Sequence, residues 1–420
     1  MSMIQSGKGF MDLFPPKSDL FTSIEATARE VFSRYGCREL RTPIIEFTEL
    51  FVRGIGDETD VVQKEMYSFP DRKGRSMTLR PEATAGVLRA CIQHKMLRQD
   101  ELLKFFTLGP MFRYERPQMG RQRQFHQINV EILGSSSHLA DVDMLFMLHR
   151  FLSEIGLTGL EYQLNSLGCA ACRPNFRAAL DDYLRDVDPD GLCEDCRRRM
   201  HTNPLRVLDC KVPGCKAVTA QAPVITQSNC EPCRVHFDAV IELLNRSRLQ
   251  VQLNPLLVRG LDYYQGTTFE VVSTDIGSQS SVAGGGRYDG LVKQLGGPDV
   301  PGIGFACGLE RLAMLVPEQP ALGLDVFIAI HTEVVLEKAL EVAQVLRSQG
   351  FSVEFPYTFR SLKSQMRSAN KLGARFALML DEGGMAQCTV TVKDMRDGEQ
   401  FILSEADLPA SLLSRMAGGE

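Results

Sequence analysis

No run of apolar residues in this 420-residue chain approaches the ~18 that a membrane-spanning helix needs, so no segment reads as a span. The first residues, Met-Ser-Met-Ile-Gln-Ser-Gly-Lys-Gly, carry no apolar core of a secretory signal, and a cytoplasmic enzyme is the expectation. Charge of one sign is not in large excess. The formal net charge of −5 argues against a general nucleic-acid coat protein but leaves room for a local basic patch. The dinucleotide-binding spacing of glycines is missing as well, because Gly302-Ile303-Gly304-Phe305-Ala306-Cys307-Gly308 sets its small residues at other intervals. What is present is 44% hydrophobic and 24% charged residues, the balance of a globular protein with a large core. The length favours two or three domains.

The stretch Gly109–Gly134 is the most informative. Two strand-like runs flank a basic turn holding Arg116, Arg121 and Arg123, with Pro117 and Gly120 shaping it. In the second run Phe125, Gln127, Asn129 and Glu131 fall on one face, and His126, Ile128, Val130 and Ile132 on the other. The second face suits a core. The first offers an aromatic ring, two amides and a carboxylate, an odd set for a solvent face. Arg113 and Glu115 share a face of the first run in the same way. An arginine-rich hairpin beside a polar sheet face suggests an anionic ligand above a sheet floor; a solvated, exposed hairpin is the plainer reading.

Along the chain, Ser18–Tyr35 reads as an amphipathic helix that Ser18 could cap and Gly36 ends. Arg38–Ile45 reads as an edge strand, Met66–Phe69 and Ser76–Leu79 as a hairpin, Ala83–Leu97 as a helix and Leu102–Leu108 as a strand. Ala140–Leu152 reads as a helix and Glu161–Leu167 as a strand. Residues 169–250 change composition and look inserted before the next apolar run, Pro255–Val258. Tyr263–Val272 and Ser281–Val292 read as strands, and Ile303–Leu315 as a strand turning into a helix. Val316–Gly323 is a linker by composition. Beyond it strand and helix alternate: strands at Val326–Ile330, Phe351–Phe355, Phe376–Leu380, Cys388–Lys393 and Gln400–Leu403, and helices at Glu333–Ser348, Ser361–Leu372 and Glu405–Ala417. This predicts a separate α/β domain with a mixed sheet. In it Arg360, Lys363, Arg367, Lys371 and Arg375 recur every three or four residues as one basic face, either a solvated surface or a site for an anionic partner.

Further constellations carry chemistry. Arg80-Pro81-Glu82-Ala83-Thr84 puts a carboxylate and a hydroxyl at a strand-to-helix junction, as an ammonium site or as a helix cap. Leu257–Tyr264 sets Arg259 before Gly260 and two tyrosines, and an arginine there can neutralise a phosphate. Gly284-Gly285-Gly286-Arg287-Tyr288-Asp289-Gly290 lets backbone approach a ligand or simply turns. Gly308-Leu309-Glu310-Arg311 places an arginine at a helix start.

Together these stretches resemble one family closely, histidyl-tRNA synthetase, a class II aminoacyl-tRNA synthetase. Arg41-Thr42-Pro43 sits where the family's dimer-forming motif 1 lies. Phe112-Arg113-Tyr114-Glu115 through Glu131 is similar to motif 2, and Gly308-Leu309-Glu310-Arg311 to motif 3. Leu257–Tyr264 and Gly285–Gly290 resemble the two histidine-specific signatures. The chain departs at Ala83, where members often carry glycine. The fold implied is an α+β catalytic domain with an antiparallel sheet flanked by helices (1–168 and 251–320), a small helical Cys-rich insertion (169–250), and a C-terminal α/β anticodon-binding domain (325–420).

The resemblance implies ATP with Mg²⁺, L-histidine and histidine tRNA as substrates and partners, and a homodimer. It assigns Arg113 and Arg311 to the ATP phosphates, Phe125 to the adenine face and Glu115 to its amino group. Glu82, Thr84 and Gln127 would hold the histidine ammonium, and Glu131 and Tyr264 would read the imidazole nitrogens. Tyr263 and Tyr288 would line the pocket, and Arg259 would bridge the carboxylate and the α-phosphate. Arg116, Gln118, Arg121 and Arg123 would meet the acceptor stem, and Arg360, Lys363 and Arg367 the tRNA backbone. Two alternatives stand beside it: a non-catalytic, synthetase-like regulatory subunit of ATP phosphoribosyltransferase, and a tRNA-binding module without catalysis. Histidine-dependent ATP–pyrophosphate exchange separates them.

Eight of the twelve cysteines lie between Cys169 and Cys233. Cys169-x2-Cys172 with Cys193-x2-Cys196 fits the spacing of a four-cysteine zinc site, and Cys210-x4-Cys215 with Cys230-x2-Cys233 nearly does. A reducing compartment favours metal over disulfide, and an interleaved pairing, redox-labile pairs or plain thiols are the other readings. The family's chemistry needs no metal here, so zinc would be structural.

Overall fold

The computed structural model describes residues 3–98, 101–275, 281–317 and 323–417. The chain falls into two compact units, Met1–Pro317 and Glu318–Glu420. The expected linker, Val316–Gly323, lies partly outside the described residues.

The first unit begins with α1 (Lys17–Arg34), β1 (Arg38–Glu39), β2 (Ile45–Phe47), α2 (Thr48–Ile55), β3 (Tyr67–Pro70), β4 (Ser76–Leu79) and α3 (Thr84–Gln93). The long hairpin β5 (Leu103–Phe112) and β6 (Gln124–Leu133) follows, then α4 (His138–Glu154) and β7 (Glu161–Ser166). The cysteine segment holds α5 (Arg173–Arg185), α6 (Glu194–Thr202), α7 (Leu205–Leu208), α8 (Pro213–Thr219) and α9 (Glu231–Arg246). The chain returns through β8 (Gln252–Leu253), β9 (Gln265–Val272), β10 (Ser281–Arg287), α10 (Leu291–Gln294), β11 (Gly302–Gly308) and α11 (Leu309–Leu315).

An eight-stranded sheet runs β1-β5-β6-β11-β10-β9-β7-β8. Its central pairs are antiparallel, as expected, but both outer pairs, β1 with β5 and β7 with β8, are parallel. One face carries Ile128, Val130, Ile132, Phe269, Val271, Ile303 and Cys307, buried against Phe21, Val31 and Phe32 of α1 and Leu145, Leu148 and Phe151 of α4. That is the apolar half of the β6 alternation meeting two amphipathic helices, and its burial drives the unit's folding. The other face is the one that matters for chemistry. Across it run two rows in register, Glu131–Gly304–Gly286–Thr268 and Asn129–Ala306–Gly284–Glu270. The middle of each row is glycine or alanine, so the sheet presents a shallow floor walled by polar side chains from β6 and β9.

A separate three-stranded sheet, β2-β4-β3, aligns Ile45 with Leu79 and Tyr67, and Phe47 with Met77 and Phe69. All six therefore share one face. Local details differ from expectation. Ser18 does not cap α1, because the helix starts at Lys17 after Pro16 and no side chain caps it. The edge strand expected over Arg38–Ile45 breaks into two short strands around Pro43.

The second unit is a five-stranded sheet, β13-β12-β14-β15-β16, made of β12 (Val326–Ile330), β13 (Val353–Glu354), β14 (Phe376–Leu380), β15 (Thr389–Asp394) and β16 (Gln400–Ser404). The first three strands are parallel and the last two antiparallel, the mixed sheet expected. One face packs against Ala339, Val342 and Leu346 of α12 (Leu336–Ser348) and Leu408 and Leu412 of the last helix (Leu408–Ala417). The other meets α13 (Leu362–Lys371) through Phe327, Ala329 and Ala369. A short helix, α14 (Glu382–Gln387), was not foreseen. The basic stripe is shorter than expected. Arg360, Lys363, Arg367 and Lys371 are exposed, but Arg375 turns to the sheet, where it pairs with the buried Asp394 and lies 4.7 Å over the Phe376 ring.

Candidate active site

The polar floor opens into a cavity of about 390 Å³. Glu82, Thr84, Arg113, Glu115, Phe125 and Gln127 line it, as do Arg259, Tyr263, Tyr264, Tyr288 and Arg311. The three glycine-rich or arginine-bearing stretches that are far apart in sequence thus converge on one hairpin.

Glu131 lies one layer beneath, 1% exposed. The Thr84 hydroxyl donates to its Oε1 at 2.6 Å and the Tyr288 hydroxyl to its Oε2 at 2.5 Å. A Cβ on Gly304 would overlap Oε2, so glycine there is what lets the carboxylate cross β11. Burial pushes its carboxyl up to about 8, against the opposing pull of the two hydroxyls. Burial likewise raises Glu82, whose carboxylate accepts from the backbone N–H groups of Thr84 at 2.7 Å and Ala85 at 2.8 Å. Glu82 is therefore a helix cap and a cavity residue at once, so the two readings of this motif hold together. Gln127 Oε1 is buried and accepts no hydrogen bond from the described residues. Tyr263 and Tyr264 lie ring to ring at 4.6 Å, and burial keeps both phenols neutral.

Arg259 lies across Gly284, where a Cβ would overlap its guanidinium, and its Nη1 meets Glu270 Oε1 at 3.0 Å. Arg113 donates from Nε to the Pro81 carbonyl at 2.9 Å and stands 5.3 Å over the Phe125 ring. Arg311 donates from Nη1 to the Ser281 carbonyl at 2.6 Å. At the turn, Arg121 pairs with Glu115 at 2.9 Å and also lines the cavity. Arg123 lies 4.0 Å over the Tyr114 ring and donates to the Glu115 carbonyl, while Arg116 and Gln118 are exposed.

Several cavity residues were not singled out from sequence: Glu270, Glu65, and Asp60, Arg206, Asp209 and Lys211. Glu270 had a signal, a carboxylate between the apolar positions Phe269 and Val271 of a strand. Asp60, Arg206, Asp209 and Lys211 had none, since they sit in or against the cysteine segment.

The eight cysteines form two quartets, but not the sequential ones. Cys169 and Cys172 join Cys230 and Cys233, and Cys193 and Cys196 join Cys210 and Cys215, the sulfurs of each within 4.8 Å of one another. Spacing alone suggested 169–172–193–196 and 210–215–230–233. The helical hairpins instead bring the first pair back to the last and enclose the middle two. Sulfur separations are 3.6 Å for Cys169–Cys172 and 3.9 Å for Cys169–Cys230 and Cys172–Cys233, with 3.8 Å for Cys193–Cys210. Four thiolates about 2.3 Å from one ion stand about 3.8 Å apart, whereas a disulfide needs about 2 Å. Backbone N–H groups of Cys230 and Cys193 donate to Cys172 and Cys215 sulfurs at 3.1 and 3.2 Å, bonds suited to thiolate ligands.

Comparison with known proteins agrees with the fold. The family model described as histidyl-tRNA synthetase matches residues 9–312, and that of the anticodon binding domain residues 325–415. A histidine–tRNA ligase of Nitratidesulfovibrio vulgaris is 58% identical over 414 residues, 99% of each chain, and one of Solidesulfovibrio magneticus is 58% identical over the whole of both. The crystal structure of apo S. aureus histidyl-tRNA synthetase superposes with a TM-score of 0.81 at 33% identity, covering 98% of this chain and 100% of that one. The chain belongs to the histidyl-tRNA synthetase family.

Proposed function

We infer that this protein is a histidine–tRNA ligase, which activates L-histidine with ATP and transfers it to the 3′ end of histidine tRNA. The observation that carries the reading is the juxtaposition of a buried, hydroxyl-caged carboxylate, Glu131, with three cavity arginines on one sheet face.

Glu82, Thr84 and Gln127 take the histidine ammonium, Gln127 Oε1 being an acceptor with no other partner among the described residues. Glu131 and Tyr264 read the imidazole, with Tyr263 and Tyr288 closing the pocket around the ring. The two hydroxyls occupy two of the carboxylate's roughly four lone-pair positions, so an imidazole N–H can still donate to it. An amino acid without such a donor leaves a buried carboxyl unpaired and is rejected. Phe125 supports the adenine and Glu115 accepts from its amino group. Arg113 and Arg311 hold the phosphates.

Arg259, catalytic with Arg113, neutralises charge as a histidine carboxylate oxygen bonds to the α-phosphorus. The bond to the bridging oxygen breaks and pyrophosphate leaves in line. Mg²⁺ would accompany the nucleotide, for which the hard carboxylate oxygens of Glu270 in the same cavity are suited. The terminal tRNA hydroxyl then displaces AMP from the activated histidine.

In this reading residues 1–168 and 251–320 are the catalytic core, 169–250 the insertion and 325–420 the anticodon-binding domain. Arg116, Gln118, Arg121 and Arg123 meet the acceptor end, and Arg360, Lys363 and Arg367 the tRNA backbone. The protein works in the cytoplasm as a homodimer. The dimer is supported by the apolar face of β2-β4-β3, where Ile45, Phe47 and Phe69 stand 40–48% exposed beside Arg41-Thr42-Pro43. Zinc in the two cysteine quartets is structural. Histidine-dependent ATP–pyrophosphate exchange tests the assignment: a folded, histidine-binding protein that gives no exchange would be a regulatory subunit instead.

A further inference from the structure

The two cysteine quartets sit in different mechanical positions. The outer one, Cys169, Cys172, Cys230 and Cys233, joins the first turn of the insertion to its last helix. The inner one joins the start of α6 (Cys193, Cys196) to the segment after α7 (Cys210) and to α8 (Cys215). Between the inner ligands runs the stretch that touches the catalytic core. Arg199 and Arg198 pair with Asp60, Arg198 at 2.8 Å. Asn203 Nδ2 donates to both oxygens of Asp262 at 3.0 Å. Arg206 pairs with Asp209 at 3.1 Å. Arg206, Asp209 and Lys211 line the same cavity as Arg259, so both chain neighbours of Cys210 form its wall.

Residues 203–212 contain one four-residue helix and no strand. Regular hydrogen bonding therefore does little to fix where Asp209 and Lys211 stand. Val207 and Leu208 are packed in the core, and the sulfur of Cys210, 3.8 Å from that of Cys193, is a further anchor, set directly between Asp209 and Lys211. A metal ion there would fix three helices to one point directly behind the wall.

We propose that zinc held by Cys193, Cys196, Cys210 and Cys215 positions the Arg206–Lys211 wall of the catalytic cavity, and that the outer quartet does not. This rests on the readings that the quartets hold zinc and that the cavity activates histidine. The inner ion touches no substrate; it acts through Arg206, Asp209 and Lys211, which are positioning residues for the ligands that fill the cavity.

The test uses full-length protein purified without chelator. Zinc is counted by elemental analysis, and KM and kcat are measured by pyrophosphate exchange in the wild type, Cys210→Ser/Cys215→Ser, Cys230→Ser/Cys233→Ser and Cys210→His. The expected wild type binds about two zinc ions per chain and each double variant about one. Loss of the inner zinc raises the KM for ATP and histidine about tenfold with kcat within about threefold, and loss of the outer zinc leaves KM within about twofold. Cys210→His keeps a zinc ligand and recovers most of the binding. Equal KM changes in the two double variants, or unchanged KM after the inner zinc is lost, overturn the proposal. Should the inner variant not fold, Lys211→Met in zinc-replete protein replaces it, with a raised KM expected and an unchanged KM overturning the role of the wall. A wild type with less than about one zinc per chain overturns the metal reading, whereas a zinc-replete wild type without exchange overturns the activity.

Discussion

Replacing Glu131 by glutamine separates the stability of the pocket from its chemistry. In the folded chain this carboxyl titrates near 8 because burial raises it above its ordinary 4.5. Between those values the folded protein holds a proton that the unfolded chain has released. The unfolded state then binds fewer protons than the native one, so stability falls as pH rises, the opposite of a salt-bridged carboxylate. The slope is about 1.4 kcal/mol per pH unit, which accumulates to about 4 kcal/mol between pH 5 and pH 8. The amide of Glu131→Gln has the same shape and does not titrate. In denaturant unfolding without ligands, the variant gains on the wild type across that interval and the difference grows with pH. In pyrophosphate exchange the order reverses, because the amide, unlike the carboxyl, cannot ionise to give the bound imidazole a charged acceptor, which lowers kcat/KM for histidine by roughly a hundredfold. Parallel stability curves for the two proteins would refute the buried neutral carboxyl, and undiminished exchange would refute its part in reading histidine.

Gly284→Ala puts a methyl group into the Arg259 guanidinium and is expected to lower kcat of exchange about a hundredfold. A wild-type rate would show that Arg259 acts elsewhere. Lys363→Ala/Arg367→Ala weakens tRNA binding and flattens the slope of log K against log salt by roughly 1.5, measured by filter binding; an unchanged slope removes these residues from the tRNA surface. Phe47→Asp, on the apolar face of the three-stranded sheet, shifts the protein to monomer in analytical ultracentrifugation, and a persistent dimer would place the interface on another surface.

The β6 alternation was legible in sequence because a period of two is written residue by residue: Ile128, Val130 and Ile132 are core, while Phe125 and Gln127 face the cavity and Glu131 sits just beneath it. The convergence of Arg113, Arg259 and Arg311 on that face was legible only through resemblance, since no local pattern links the end of β5, the segment before β9 and α11. Glu270, Asp209 and Lys211 escaped because their role depends on register and on the path of the insertion. Spacing likewise permitted several cysteine pairings. Only the return of α9 to the end of β7 selects the nested one. Arg375 fitted the basic stripe by periodicity, yet a buried carboxylate at Asp394 outweighed that phase.

The nested arrangement of the quartets has a consequence for how such an insertion can be acquired or lost. The sulfurs of Cys169 and Cys230, sixty-one positions apart in sequence, lie 3.9 Å from each other, so the segment leaves the end of β7 and comes back beside it at practically one point, from which α9 leads on to β8. To the eight-stranded sheet, everything between them is topologically a single loop. Helices could be lengthened, exchanged or removed inside that loop without altering the path of the strands on either side, just as words within parentheses change without disturbing the sentence around them.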